Sequence, residues 1–133
     1  MLTQLTVTSQ SREQFIDITR QVTEIIARSG VQAGVATLFV AHTTAAVTIN
    51  ENADPSVVSD MLKSLAQIAP LRAPHYRHRE GNSDAHLKSS LVGPSLQVII
   101  ADGKPVLGTW QGIYFCEFDG PRPRQLWVKI AEG

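Results

Sequence analysis

Leu96-Gln97-Val98-Ile99-Ile100-Ala101-Asp102-Gly103-Lys104-Pro105-Val106-Leu107 reads as a strand, a tight turn and the start of a return strand. The Asp-Gly pair supplies the positive backbone angles of a two-residue hairpin, and aliphatic residues dominate the first arm. Gly112 to Phe118 and Leu126 to Ile130 are further strand-like runs, so the last third of the chain is expected to be an antiparallel meander. Working back toward the N-terminus, Leu5 and Val7 alternate with Thr6 and Thr8 in the period of two of a half-buried strand. Val35 to Val40 and Ala45 to Ile49 are two more β-rich runs.

Helical periodicity occurs in two places. Ser11-Arg12-Glu13-Gln14 has capping-box spacing, and Phe15, Ile18, Val22, Ile25 and Ile26 follow at three-and-four intervals up to Gly30, a good helix stop. Asp54-Pro55 reads as an N-cap with proline at the first helical position, and Val57, Val58, Met61, Leu62, Leu65 and Ile68 make the stripe of a second helix ended by Pro70. Leu71 to Gly93 has no core period until about Ala85, where a short helix capped by Ser83 is expected to run to Leu91. The expected fold is α+β: a compact, antiparallel, sandwich-like sheet system with two main helices and a short loop-helix, in one domain over residues 1–133. Helices and strands do not alternate, and there is no dinucleotide or P-loop glycine motif, which argues against a doubly wound parallel sheet.

Composition narrows the function classes. Hydrophobic residues make up 43 % of the chain and charged residues 18 %, enough to bury a core without disulfides or a structural metal. Twelve basic residues balance twelve acidic ones, so no basic excess exists to neutralise nucleic acid or an anionic membrane, and an anion must be bound locally. The longest apolar runs are far shorter than the roughly 20 residues of a membrane span. The single Cys116 forms no internal disulfide and reads as a small buried hydrophobe, and Met1 to Leu5 lacks signal-peptide character. A cytoplasmic protein is expected.

Candidate chemistry gathers in three segments. His42, His75, His78 and His86 match no zinc-finger or helical metalloprotease spacing, although imidazoles from separate segments can converge on one zinc ion. Asn50, Glu51, Asn52 and Asp54 follow an apolar strand, with Glu51 the natural general base and Asp54 sufficiently explained as a cap. Asn82 and Asp84 open the loop-helix, where an acid is favoured by the helix dipole whether or not it does chemistry. Arg122 and Arg124, held by Pro123, suit phosphate or carboxylate, and Lys88 can add charge; surface solvation is the ordinary alternative for all three. Gly108-Thr109-Trp110-Gln111 offers a hydroxyl, an amide and a flat ring suited to a phosphorylated heterocycle, or else to a core or interface.

Together the motifs HTTAAVTINENADP, GNSDAHLKSSLVG and LGTWQGIYFCEFDGPRPR closely resemble the YjbQ family of secondary thiamine-phosphate synthase-like proteins, over almost the whole chain. The resemblance implies a homotrimer with the polar motifs near subunit boundaries. It also implies that His42, His78 and His86 hold a divalent metal, zinc first and magnesium if the substrate is a diphosphate. Glu51 and Asp84 then become the acid/base candidates, with Asn50, Asn82, Lys88, Thr109, Trp110, Gln111, Arg122 and Arg124 against the substrate. The implied reaction joins a thiazole phosphate to a pyrimidine diphosphate with release of pyrophosphate, which needs charge neutralisation on the leaving group more than a strong base. Two other classes stand beside it: a metal-dependent hydrolase of a small phosphorylated metabolite, and a non-enzymatic trimer that binds a metal or metabolite.

Overall fold

Leu38 lies opposite Leu96 on one flank and Val128 on the other, which sets the register at the centre of the larger sheet. The computed structural model describes residues 1–133. Its strands are β1 (Leu2–Thr8), β2 (Gln14–Asp17), β3 (Ala33–Val40), β4 (Ala45–Glu51), β5 (Ser95–Ala101), β6 (Lys104–Pro105), β7 (Gln111–Glu117) and β8 (Pro123–Glu132). The helices are α1 (Thr19–Ser29), α2 (Pro55–Ile68) and α3 (Ser83–Val92). One sheet has the order β1-β8-β3-β5-β6 and the other β2-β7-β4, and every pairing is antiparallel.

The α+β, sandwich-like architecture is therefore the one expected, but the C-terminal meander is not. Only β5 and β6 form a hairpin, across Asp102 (φ 52°) and Gly103 (φ 72°). β7 leaves for the small sheet and β8 returns to the large one, between β1 and β3. Alternation along β7 shows why: Ile113 and Phe115 enter the main core, whereas Tyr114 and Cys116 face a second one. A strand buried on both faces must lie between layers, which a meander on one sheet cannot provide.

The main core lies between the sheets and takes Val22, Ile25 and Ile26 from α1. On the other side of the small sheet, Ala46, Tyr114, Cys116 and Phe118 are covered by Ala85 and Val92 of α3 and by Val58, Leu62 and Leu65 of α2. Burial pushes the Cys116 thiol up and keeps it protonated, in line with a packing role.

The first helix begins later than its periodicity predicts. Gln14 to Asp17 form β2, with Phe15 opposite Cys116, and the helix starts only at Thr19, whose N–H donates to Asp17 Oδ1 at 2.9 Å. Pairing with β7 gives Phe15 an aromatic contact with Tyr114 and Phe118, and that tertiary gain outweighs the local capping box. Gly30 ends the helix in the left-handed conformation (φ 75°) as expected. Asp54 caps α2 by accepting from Ser56 N–H at 2.9 Å, with Pro55 at the first helical position, also as expected. α3 starts one residue earlier than expected, at Ser83, because its N-cap is Asn82 rather than Ser83. No helix is long and apolar enough to cross a membrane.

Candidate functional site

The run Ile113 to Phe118 contains one acid, Glu117, and it is fully buried. Its partner is Arg124, 3 % exposed, whose Nε donates to both carboxylate oxygens at 2.9 and 3.1 Å while Nη2 bonds Glu117 and Thr44 Oγ1. Ser9 Oγ donates to the same carboxylate at 2.7 Å and Asp119 N–H at 3.0 Å. Burial pushes this carboxyl up, but the hydrogen bonds from Arg124, Ser9 and Asp119 outweigh it and hold the group below the usual carboxylate range. Arg124 is thus not the solvated tip residue its turn suggests. It ties β8 to β7 and to the end of the His42–Thr44 connection. Gly120 lets the turn approach this network: a Cβ there would meet Ser11 O and Ser9 Oγ at 2.5 Å.

α3 carries a second buried charge cluster. Asp84 is fully buried and accepts from both Nη atoms of Arg12 at 3.1 and 3.0 Å and from Lys88 Nζ at 3.1 Å. Lys88, 1 % exposed, also donates to Glu13 at 2.8 Å. Burial raises the Asp84 carboxyl, yet the Arg12 and Lys88 bonds leave it below its ordinary value. These contacts correct two expectations. Lys88 is not a free cation for phosphate, and Asp84, enclosed between two cations, is a poor acid or base. The helical interval of four that stacks Asp84 on Lys88 was readable from the sequence; Arg12 and Glu13, from the segment before β2, left no comparable signal.

Between these clusters lies a cavity of about 460 Å³. His42, from the β3–β4 connection, His78, from the loop before α3, and His86, on α3, all line it, as do Asn82, Asp119 and Arg122. The rings of His78 and His86 are 5.2 Å apart and nearly perpendicular, and Glu80 lies 3.8 Å from His78 Nε2. Arg122 is half exposed and leans on Asp119, donating from Nε to its backbone oxygen at 3.0 Å and from Nη2 to Oδ2 at 3.3 Å. Asp119 Oδ2 also accepts from Asn82 Nδ2 at 2.7 Å. His42 Nε2 accepts the backbone N–H of Gln125 at 2.8 Å, which requires a bare Nε2 and, in the neutral ring, a proton on Nδ1. Burial first, then the charge of Arg124, pushes His42 below the ordinary histidine value against the opposing charge of Glu117. Three imidazoles and a guanidinium share one wall.

The other sequence candidates lie elsewhere. Register places Ala45 opposite Glu117 at the cavity end of the small sheet and Glu51 opposite Gln111 at the other. At the usual rise this separates the ends by about 20 Å. Asn50 contacts Met61, Asn52 donates to Asp17, and the Tyr114 hydroxyl donates to the Glu51 carbonyl. Gln111 Oε1 accepts from Gly108 N–H at 2.7 Å, Thr109 is exposed, and Trp110 is 63 % exposed with its carbonyl bonded to Asn52 N–H. Within one chain, Asn50, Glu51, Thr109, Trp110 and Gln111 therefore form a group apart from the histidines. His75 stacks edge-on against Tyr76 and does not line the histidine cavity.

The family model described as UPF0047 protein YjbQ-like matches residues 3–133. The chain belongs to the YjbQ-like UPF0047 family. It is 53 % identical to a UPF0047 protein of Methanocaldococcus jannaschii, over 98 % of this chain and 94 % of the relative. With the UPF0047 protein YugU of Bacillus subtilis it shares 49 % identity over 98 % of each. Among solved structures, a YjbQ/UPF0047 protein of Clostridium acetobutylicum superposes with a TM-score of 0.94 at 52 % identity, covering 97 % of this chain and 99 % of that one. A YbjQ-like protein of unknown function from Sulfolobus solfataricus gives a TM-score of 0.95 at 32 % identity, covering 100 % and 97 %.

A zinc ion, implied for this UPF0047 chain by family resemblance, does not fit the residues of the single chain as they are arranged. No three His, Cys, Asp or Glu side chains form a group able to hold a metal ion. The Nε2 lone pair of His42 is already taken by a backbone N–H, so ligation through Nδ1 would need a ring stripped of both protons. Magnesium wants carboxylate oxygens; those of Asp84 and Glu117 are held by buried cations, and of the two carboxylates lining the cavity Asp119 is held through Oδ2 by Asn82 and Arg122 while Glu80 lies beside His78. What the cavity does offer is donors. His42 Nδ1–H, the one ring N–H of a neutral His86 and Arg122 Nη1 have no protein hydrogen-bond partner.

Proposed function

We propose that this protein binds the phosphate of a small phosphorylated metabolite in the cavity between α3 and the Asp119–Arg124 turn and catalyses transfer with loss of a phosphate or diphosphate leaving group. The observation that carries the reading is the set of unpartnered donors on Arg122, His42 and His86, in a place where the nearest buried carboxylates are neutralised by their own cations. Arg122, half exposed and with Nη1 free, is the cation this space presents to an anion.

The family resemblance supplies the particular reaction. The thiazole nitrogen attacks the methylene carbon of the pyrimidine diphosphate, the carbon–oxygen bond breaks, and its electron pair leaves with pyrophosphate. Arg122 and the imidazole N–H groups meet the charge that develops on the departing oxygens. The assembly belonging to this reading is a cytoplasmic homotrimer. A hydrolase in which Asp84 activates water is the weaker reading, because that carboxylate is enclosed by Arg12 and Lys88.

The test is a mass-spectrometric assay for thiamine phosphate from the two precursors, with and without added zinc or magnesium, in wild type and Arg122→Ala. Product that falls at least about tenfold in the variant supports the reading. No product in wild type, with no binding of phosphate or pyrophosphate by calorimetry, overturns it.

A further inference from the structure

Asn82 occupies the N-cap of α3, where an asparagine side chain ordinarily accepts a first-turn N–H, yet its side chain makes no such bond. The amide turns instead to Asp119, with Nδ2 donating to Oδ2 at 2.7 Å. That contact fixes the orientation of the group: exchanging nitrogen and oxygen would set two acceptors against each other. Oδ1 is left buried, with no hydrogen-bond partner, on a residue that is 5 % exposed and lines the histidine cavity. Every other unpartnered group named on that wall is a donor or an imidazole. Asn82 Oδ1 is an acceptor without a protein partner.

A buried acceptor without a partner is unfavourable, and keeping one beside a binding cavity makes sense when the partner arrives with the ligand. Arg122 Nη2 and Asn82 Nδ2 bond the same oxygen of Asp119, so the acceptor stands next to the guanidinium that takes the phosphate in the reading above. We propose that Asn82 is a specificity-determining residue that accepts a hydrogen bond from the ligand, and that the substrate is therefore a phosphate ester carrying a hydroxyl or amino group close to its phosphorylated carbon. This rests on the cavity being a phosphate site. A site with a buried acceptor aligned to a hydroxyl rejects the analogue lacking it more strongly than an apolar wall can, because the acceptor is then left unmet.

Calorimetric titration with inorganic phosphate, ethyl phosphate and 2-hydroxyethyl phosphate separates this inference from the reading beneath it. Wild type should bind 2-hydroxyethyl phosphate about tenfold or more tighter than ethyl phosphate. In Asn82→Ala the ratio of the two ester affinities should fall to about twofold or less, whatever happens to inorganic phosphate; Asn82→Ser serves if the alanine variant fails to fold. Inorganic phosphate binding with equal affinities for the two esters in wild type overturns the proposal and leaves the phosphate site standing, as does a preference retained in both variants. Failure of all three probes to bind overturns the phosphate site and the proposal with it.

Discussion

Arg124 and Glu117 form an ion pair from which water is excluded, with the guanidinium Nε shared between both carboxylate oxygens at 2.9 and 3.1 Å. Because Thr44, Ser9 and the Asp119 N–H complete the network, losing one member strands several others. Glu117→Ala should cost about 3–5 kcal/mol of stability, since it leaves a buried guanidinium uncompensated. The paired replacement Glu117→Leu with Arg124→Met should recover much of that loss. Urea denaturation of the three variants checks the expectation; a single-variant loss below about 1 kcal/mol would show that the pair is solvated.

Acid should weaken the fold through Asp84 and Glu117. Both carboxyls are held below their ordinary values in the folded chain, so the unfolded chain takes up protons first as pH falls. Their contribution is complete above the unfolded carboxyl range of about 4–4.5 and is lost as pH drops through the lower folded values. Stability measured from pH 7 to pH 3 should show the steep part below about 4.5, and Asp84→Asn should flatten it while lowering stability at pH 7. An unchanged slope in Asp84→Asn would assign the acid transition to other groups.

Arg122→Ala should weaken pyrophosphate binding about ten- to hundredfold, the usual worth of a charge-assisted hydrogen bond. Half exposed, it should change stability by about 0.5 kcal/mol or less. Isothermal titration and thermal melting read the two quantities separately. Equal pyrophosphate affinity in the variant would show that Arg122 serves only Asp119.

His42 should be neutral with its proton on Nδ1 in solution, and should titrate below the ordinary histidine value of about 6.5. Pyrophosphate brings negative charge beside the ring, so its binding should raise the His42 value and take up protons. Nitrogen-15 shifts of the imidazole, with and without pyrophosphate, check both statements. A proton on Nε2 would remove the Gln125 contact and reopen the ring to a metal.

Trp110→Ala should leave pyrophosphate affinity unchanged, because this exposed ring lies at the Glu51–Gln111 end of the small sheet. A loss of affinity would mean that the two ends of the sheet meet across a subunit boundary, which light scattering of the same sample would then have to show as an oligomer.

Local chemistry made much of this chain legible before any coordinates. Alternation marked β1, β-rich and aliphatic runs marked β3, β4, β5, β7 and β8, the Asp102–Gly103 turn joined β5 to β6, and Asp54-Pro55 and Gly30 marked helix ends, because each signal depends on neighbours within a few residues. Which sheet receives a strand does not depend on neighbours. β7 and β8 are separated by one short turn and lie in different layers, since Phe115 and Cys116 need apolar partners on opposite faces while β8 fills the place between β1 and β3. The same division applies to the site. Residue types flagged four histidines and the Arg122–Arg124 pair, the family resemblance singled out His42, His78 and His86, and folding placed those three and Arg122 around one cavity. Nothing in local sequence distinguished Arg122, half exposed, from Arg124, buried on Glu117, or gave Lys88 its partner Glu13. Whether a charge is free or spent depends on what chain packing brings against it, and desolvation, which settles that, is a property of the assembled layers rather than of any segment.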